Sequence, residues 1–265
     1  MPNLVYKKAL CHYTDQGNGP VLVLLHGFLE DLSMWDNIVD SFGQTHRVIC
    51  LDLLGHGKTE NIGYIHTMED QARMLHFLLD NLGIEQCTLI GHSMGGYIAL
   101  AFTDLFPDMV LGICLMNSTA LADSDEKKHN RDRGIKAVKQ NHKTFIRIAI
   151  PGLFSESNRS VFTTEIKEIT ETALKMSQQG IIASLEGMKI RKDRRHILKK
   201  KDKHILMIIG KEDPALDYAS LVEQSKIGAV QSVIFEDGHM SHVENESELK
   251  QELSNWNPVL NRLSS

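Results

Sequence analysis

An α/β fold with a mostly parallel sheet and an inserted helical segment is predicted by three observations. Short β-rich apolar runs alternate with stretches whose apolar residues fall at helical spacing. A central stretch lacks convincing strands. That same stretch is basic, whereas the rest of the chain is acidic.

The first polar stretch, Leu4 to Tyr13, leads into the turn-rich Asp15-Gln16-Gly17-Asn18-Gly19-Pro20 and suits an antiparallel hairpin at a sheet edge. Val21–Leu25, Arg47–Leu51, Cys87–Ile90, Met109–Met116, Ile205–Ile209 and Ser232–Phe235 each read as a strand buried on both faces, the signature of a parallel sheet covered by helices. Helical spacing runs over 34–42, 67–82 and 93–106, as in Met74, Leu75, Leu78, Leu79 and Leu82, and supplies the crossovers that parallel neighbours require. The central stretch offers helices near 125–141, 143–149, 160–177 and 181–188, broken at Pro151-Gly152. It is therefore read as a helical insertion: residues 1–120 and 200–265 form the core, and residues 121–199 the insertion.

With 265 residues, 42% of them hydrophobic and 24% charged, the chain can bury a substantial core. A formal charge of −5 lacks the basic excess of a nucleic-acid coat, so no nucleic-acid partner is expected. Residues 123–203 carry 20 basic and 11 acidic side chains, and the remainder 9 and 23. A basic insertion over an acidic core could draw in an anionic substrate or partner; the favoured reading is solvated helix faces plus attraction between two layers, because exposed charges more than about 10 Å apart are screened at physiological salt. The N-terminus has no basic start followed by a long apolar stretch, and no run approaches the roughly 20 residues of a spanning helix; a soluble protein with no leader and no membrane contact is expected. Cys11, Cys50, Cys87 and Cys114 form no CxxC pair and read as buried thiols in a reducing cytoplasm.

The strongest local signal is Gly91-His92-Ser93-Met94-Gly95-Gly96, placed between a strand and a helix. A nucleophile held on a tight strand-to-helix turn needs small neighbours, and the glycines provide that room. The Ser93 hydroxyl would stand clear of the sheet, with the Met94 N–H facing a developing oxyanion. A serine hydroxyl needs a base to accept its proton. His239, in Asp237-Gly238-His239 directly after the last strand, emerges at the carboxyl edge where open α/β sheets bind ligands; His242 is the competitor three residues on. The imidazole in turn needs a carboxylate. Asp213, just past the strand Ile205–Ile209, is preferred, with Glu212 and Asp217 as alternatives. In His26-Gly27-Phe28 the glycine lets the chain turn the Phe28 N–H inward as a second oxyanion donor, while His26 reads as a packing residue. No HExxH string, Cys/His ligand cluster, P-loop or dinucleotide glycine pattern occurs, so no metal and no cofactor are expected.

These motifs together, with Asp52-Leu53-Leu54-Gly55-His56-Gly57-Lys58-Thr59, resemble the α/β-hydrolase fold superfamily in its helical-cap branch, over nearly the whole chain and in the family order Ser, Asp, His. The resemblance implies an eight-stranded sheet with its second strand antiparallel, and a cap that enters after the strand ending near Met116. It assigns catalysis to Ser93, Asp213 and His239 and the oxyanion hole to the Phe28 and Met94 amides. Leu54 stands where the family's DxPGxGxS loop usually has proline, a structural position. The activity implied is a carboxylesterase-like serine hydrolase acting on small acyl or aryl esters through an acyl-enzyme. Alternatives on the same residues are hydrolysis of a carbon–carbon bond, elimination like that of the menaquinone-pathway synthase on an anionic substrate, perhydrolysis, or a slow-turnover small-molecule receptor. An aspartate nucleophile, as in related dehalogenases and epoxide hydrolases, is disfavoured by Ser93 at the elbow.

Overall fold

The computed structural model describes residues 3–256; Met1 and Pro2, which open the stretch inspected for a leader, lie outside it, as do residues 257–265. Its eight strands are β1 (Asn3–Tyr6), β2 (Ala9–Gln16), β3 (Val21–Leu25), β4 (Arg47–Leu51), β5 (Cys87–His92), β6 (Val110–Met116), β7 (His204–Gly210) and β8 (Gln231–Phe235). They form one sheet in the order β1-β2-β4-β3-β5-β6-β7-β8. β2 runs antiparallel to both its neighbours, and every pairing from β4 to β8 is parallel. This is the mostly parallel, helix-flanked α/β sheet expected from the sequence.

Alternation along the strands divides the core in two. Leu22, Leu24, Val48, Cys50, Ile90 and Ile208 pack with Trp35, Ile38 and Phe42 of the segment leading into and through α1 (Asp36–Phe42), and with Leu249 and Leu253 of α10 (Glu246–Trp256). Their neighbours Val23, Leu25, Ile49, Leu51, Leu89 and Met207 face the other way, onto α2 (Met68–Asn81) and α3 (Met94–Leu105). Such doubly buried strands explain the unbroken apolar runs. β8 departs from that reading: as an edge strand it has exposed Gln231, Ser232 and Ile234.

Two local readings also differ. The first hairpin turns at Lys7 and Lys8, both at positive φ (48° and 73°), and not at the Gly-rich segment, which instead links β2 to β3. The first segment of helical spacing opens as a 3-10 turn, Leu32–Trp35, before α1 begins. The turn is capped by the Asp31 carboxylate, which accepts from the Ser33 N–H at 3.0 Å.

Between β6 and β7 the chain forms α4 (Asp125–Ala149), α5 (Thr163–Ala173), α6 (Gln178–Lys189) and the short α7 (Arg195–Leu198), with no strand among the described residues there. α4 is broken at Asn141 (φ −160°, ψ 94°), whose Oδ1 accepts from the Thr144 N–H at 3.0 Å and restarts the helix, which is why the sequence reads as two helices. α8 (Tyr218–Ser225) and α9 (Ser241–Glu244) complete the chain. All four cysteines are buried free thiols. Among the described residues no helix is long and apolar enough to cross a membrane.

Candidate active site

Ser93 sits between the end of β5 and the start of α3 with φ 49° and ψ −111°, a backbone conformation that non-glycine residues rarely adopt. The close approach that sustains it requires glycine on both sides: a Cβ on Gly91 would lie 2.4 Å from the Gly95 carbonyl, and one on Gly95 would lie 2.1 Å from the Leu25 carbonyl oxygen. The turn is fixed by the Ser93 N–H donating to the Met116 carbonyl at 2.9 Å and by the Ser118 hydroxyl donating to the Ser93 carbonyl at 2.7 Å.

The Ser93 Oγ lies 2.9 Å from His239 Nε2, and His239 Nδ1 lies 2.6 Å from Asp213 Oδ2. Because a carboxylate only accepts, Nδ1 carries the proton and Nε2 offers its lone pair to the serine hydroxyl. Asp213 is itself fixed in place, since its Oδ1 accepts from the Ala215 and Leu216 amides at 2.8 and 3.0 Å. Burial pushes its carboxyl up, but the adjacent His239 and those two amides bring it below the usual carboxylate range. The three residues thus converge from the ends of β5, β7 and β8, at the carboxyl edge of the sheet.

The alternatives go elsewhere. Glu212 is exposed, and Asp217 caps α8 by accepting from the Ser220 N–H at 2.8 Å. His242 faces Glu30, with Nε2 3.9 Å from Oε1. His26 serves packing: its Nε2 accepts from the Leu53 N–H at 2.9 Å and its Nδ1–H donates to the Gly27 carbonyl at 2.7 Å. Asp52 ties its own loop, accepting from the Leu32 and Lys58 amides, both at 2.9 Å. Met94 is the first residue of α3, where the N–H groups have no partner within the helix, and Phe28 lines the cavity that Ser93 and His239 share.

Three residues to which the sequence reading gave no role support this geometry. His92 donates Nδ1–H to Glu30 Oε2 at 2.8 Å and Nε2–H to the His239 carbonyl at 2.9 Å. Since both partners are pure acceptors, both ring nitrogens carry protons. Burial works against that imidazolium, but Glu30 and the His239 carbonyl raise its pKa overall. Glu30 itself would be pushed up by burial, yet His92, His242 and His26 hold it at about 2. Its Oε2 also accepts from the Gly27 N–H at 2.6 Å, so one carboxylate braces the Phe28 loop and, through His92, the backbone of His239. The third is Asn117, at φ 45° just past β6, whose Nδ2 reaches the Gly238 carbonyl at 3.1 Å and Asp213 Oδ2 at 3.4 Å. A pair separated by 62 residues leaves no local signal, whereas an asparagine at the carboxyl end of a strand does.

Burial has a pH consequence at His242, whose pKa is driven down to about 4 chiefly by desolvation, with His92 and His239 adding to it against Glu30. The unfolded chain binds this proton at about 6.5 and the folded chain does not, so stability falls as pH drops from 6.5 towards 4. His56, lowered well below its ordinary value by burial, acts with the same sign. Denaturant titration at pH 7 and pH 4.5 is expected to show the acid-induced loss reduced by about 2 kcal/mol in His242→Asn; an unchanged loss would remove this role.

A cavity of about 360 Å³ opens beside Ser93 and His239. The apolar part of its wall comes from the core (Phe28, Leu216) and from the helical insertion (Phe145, Leu185, Met188). The insertion also contacts the histidine loop: the His239 N–H donates to the Leu153 carbonyl at 2.9 Å, and Asn158 Nδ2 reaches Asp237 Oδ1 at 2.9 Å.

Comparisons with known proteins agree on the fold. A family model described as alpha/beta hydrolase fold matches residues 20–246. A thermophilic esterase from Thermogutta terrifontis, solved with malate bound, is 30% identical and superposes with a TM-score of 0.88 over 94% of this chain and 93% of that one. The enol-lactonase from Burkholderia xenovorans LB400 shares the fold, with 23% identity and a TM-score of 0.88 over 96% and 99% of the two chains. A 2-hydroxy-6-oxononadienedioate/2-hydroxy-6-oxononatrienedioate hydrolase of Paraburkholderia phymatum is 43% identical over 111 residues, a stretch that covers 40% of this chain and 38% of that relative.

Proposed function

The chain belongs to the alpha/beta hydrolase fold family, and from that premise we propose that it is a serine hydrolase cleaving carboxylic esters of small acyl or aryl type through an acyl-enzyme. The observation that carries this reading is the continuous hydrogen-bonded line from the Ser93 hydroxyl through His239 to Asp213. Ser93 Oγ attacks the ester carbonyl while its proton passes to His239 Nε2, and Asp213 stabilises the resulting imidazolium. The oxyanion is met by the Met94 and Phe28 amides, with the positive end of α3 behind it. His239 then returns the proton to the departing alkoxide. A water activated by the same imidazole attacks the acyl carbon, and Ser93 is released. Residues 121–199 act as a cap over this site within a core of residues 1–120 and 200–265; the Leu153 contact to His239 and the cavity wall formed by Phe145, Leu185 and Met188 support that division. The four buried thiols suit a reducing, cytoplasmic setting.

A second reading, hydrolysis of a carbon–carbon bond on the same residues, is favoured by the 43% identity to the Paraburkholderia phymatum hydrolase. Turnover of p-nitrophenyl acetate, followed by p-nitrophenol release with an initial burst equal to one per active site, tests the first reading. Absence of turnover, with cleavage of a vinylogous 1,5-diketone instead, would transfer the site to the second.

A further inference from the structure

The cavity wall is not apolar throughout. Lys127, Asn130 and Arg131 all line it, and their spacing i, i+3, i+4 sets them on one face of α4. No aspartate or glutamate is among the lining residues. The carboxylate paired with this wall is itself not among the lining residues. Asp123, buried, accepts from Arg131 Nε at 3.1 Å and from Arg191 Nη1 at 2.5 Å, so two guanidinium groups share one carboxylate.

Arg191 is further consumed by the Leu121 and Met188 carbonyls, at 3.0 and 3.1 Å, and by the ring of Tyr97, whose centroid lies 4.1 Å from its Cζ. Arg131 spends only its Nε on Asp123 among the described residues, and its two terminal nitrogens carry the remaining donors. Lys127 Nζ is 3.4 Å from the Ala215 carbonyl, and no carboxylate among the described residues stands within ion-pair distance of it. One surplus guanidinium charge and one ammonium thus border the cavity that contains the serine, beside the apolar side chains of Phe145, Leu185 and Met188. Among the described residues, a half-buried ammonium with no carboxylate in ion-pair distance and a guanidinium that shares its only one both gain from an anion entering the cavity.

We propose that the substrate carries a free carboxylate remote from its scissile ester, and that Arg131 and Lys127, with Asn130 beside them, form the subsite that binds it. The inference rests on the reading of Ser93 as the acylated nucleophile. A carboxylate on a short hydrocarbon chain suits the site better than a phosphate: its planar oxygens match the guanidinium fork, and a monoanion costs less to desolvate beside Phe145, Leu185 and Met188. The charge contrast between the basic insertion and the acidic core therefore has one functional component beyond solvated helix faces, located on the first two turns of α4.

Two matched pairs of esters test this. Mono-p-nitrophenyl glutarate against p-nitrophenyl valerate places the carboxylate on the acyl side; 4-carboxyphenyl acetate against p-tolyl acetate places it on the alcohol side. In one pair the anionic-to-neutral ratio of kcat/KM is expected to fall about tenfold to hundredfold in Arg131→Gln and about tenfold in Lys127→Gln, the loss of a charge-assisted hydrogen bond. Lys127 makes no ion pair among the described residues, so its variant keeps the test valid where Arg131→Gln disturbs Asp123. Ratios unmoved in both pairs by both variants would overturn the proposal. If wild type turns over none of the four esters, the reaction assigned to the site fails separately. The subsite is then read by calorimetry: binding of the anionic esters at least tenfold tighter than the neutral ones, lost in Lys127→Gln, upholds it, and equal binding overturns it.

Discussion

Ser93→Ala is expected to lower kcat for p-nitrophenyl acetate by a factor on the order of 10⁶, the scale seen when an activated serine is removed from a preorganised triad. The size of the effect follows from what remains. Without Oγ, the His239 lone pair has no proton to accept from a nucleophile, and only the backbone amides and the cavity can act on the ester. Stability is expected to change little. Among the described residues the hydroxyl bonds to His239, and alanine meets the same strain as serine at φ 49°. An unchanged thermal midpoint with abolished turnover is the expected pair of results. Turnover within tenfold of wild type would mean that another group attacks the ester.

Asp213→Asn is expected to lower kcat by about 10⁴ with the fold intact. Asparagine can keep its carbonyl oxygen toward the Ala215 and Leu216 amides, which leaves its NH₂ facing His239 Nδ1 at the position of Oδ2. That NH₂ donates, so Nδ1 must accept, the ring proton moves to Nε2, and the imidazole no longer receives the Ser93 proton. Loss of the carboxylate also leaves the developing imidazolium without a counter-charge. His242→Asn, which leaves the Ser93–His239–Asp213 line in place, is expected to affect kcat far less than either change. Steady-state kinetics of the three variants checks the order, and a larger loss in His242→Asn than in Asp213→Asn would reverse the assignment of the base and its partner.

Much of this was legible in the residues because steric demand leaves a local mark. Strands buried on both faces must be unbroken apolar runs, so β3 and β4 coincide with runs visible in the chain. A serine strained at φ 49° needs Gly91 and Gly95 beside it, and a glycine next to His239 past the end of β8 marks the loop that brings the imidazole to Ser93. Features set by distant partners left no such mark. Lys7 and Lys8 take positive φ without the usual glycine or asparagine because strand pairing on either side imposes the turn. Glu30 and His92 look like ordinary polar residues until the sheet brings β3 and β5 side by side. Lys127 and Arg131 were indistinguishable from the other cations of a basic segment, because only the packing of α4 against α6 and the core shows which of them face the cavity.

The most direct measurement is covalent labelling with a fluorophosphonate followed by peptide mapping, which requires no knowledge of the substrate. A single adduct on the peptide containing Ser93, formed in parallel with loss of esterase turnover and missing in Ser93→Ala, is the predicted result. An adduct on a different serine, or complete inactivation with Ser93 unmodified, would contradict the account.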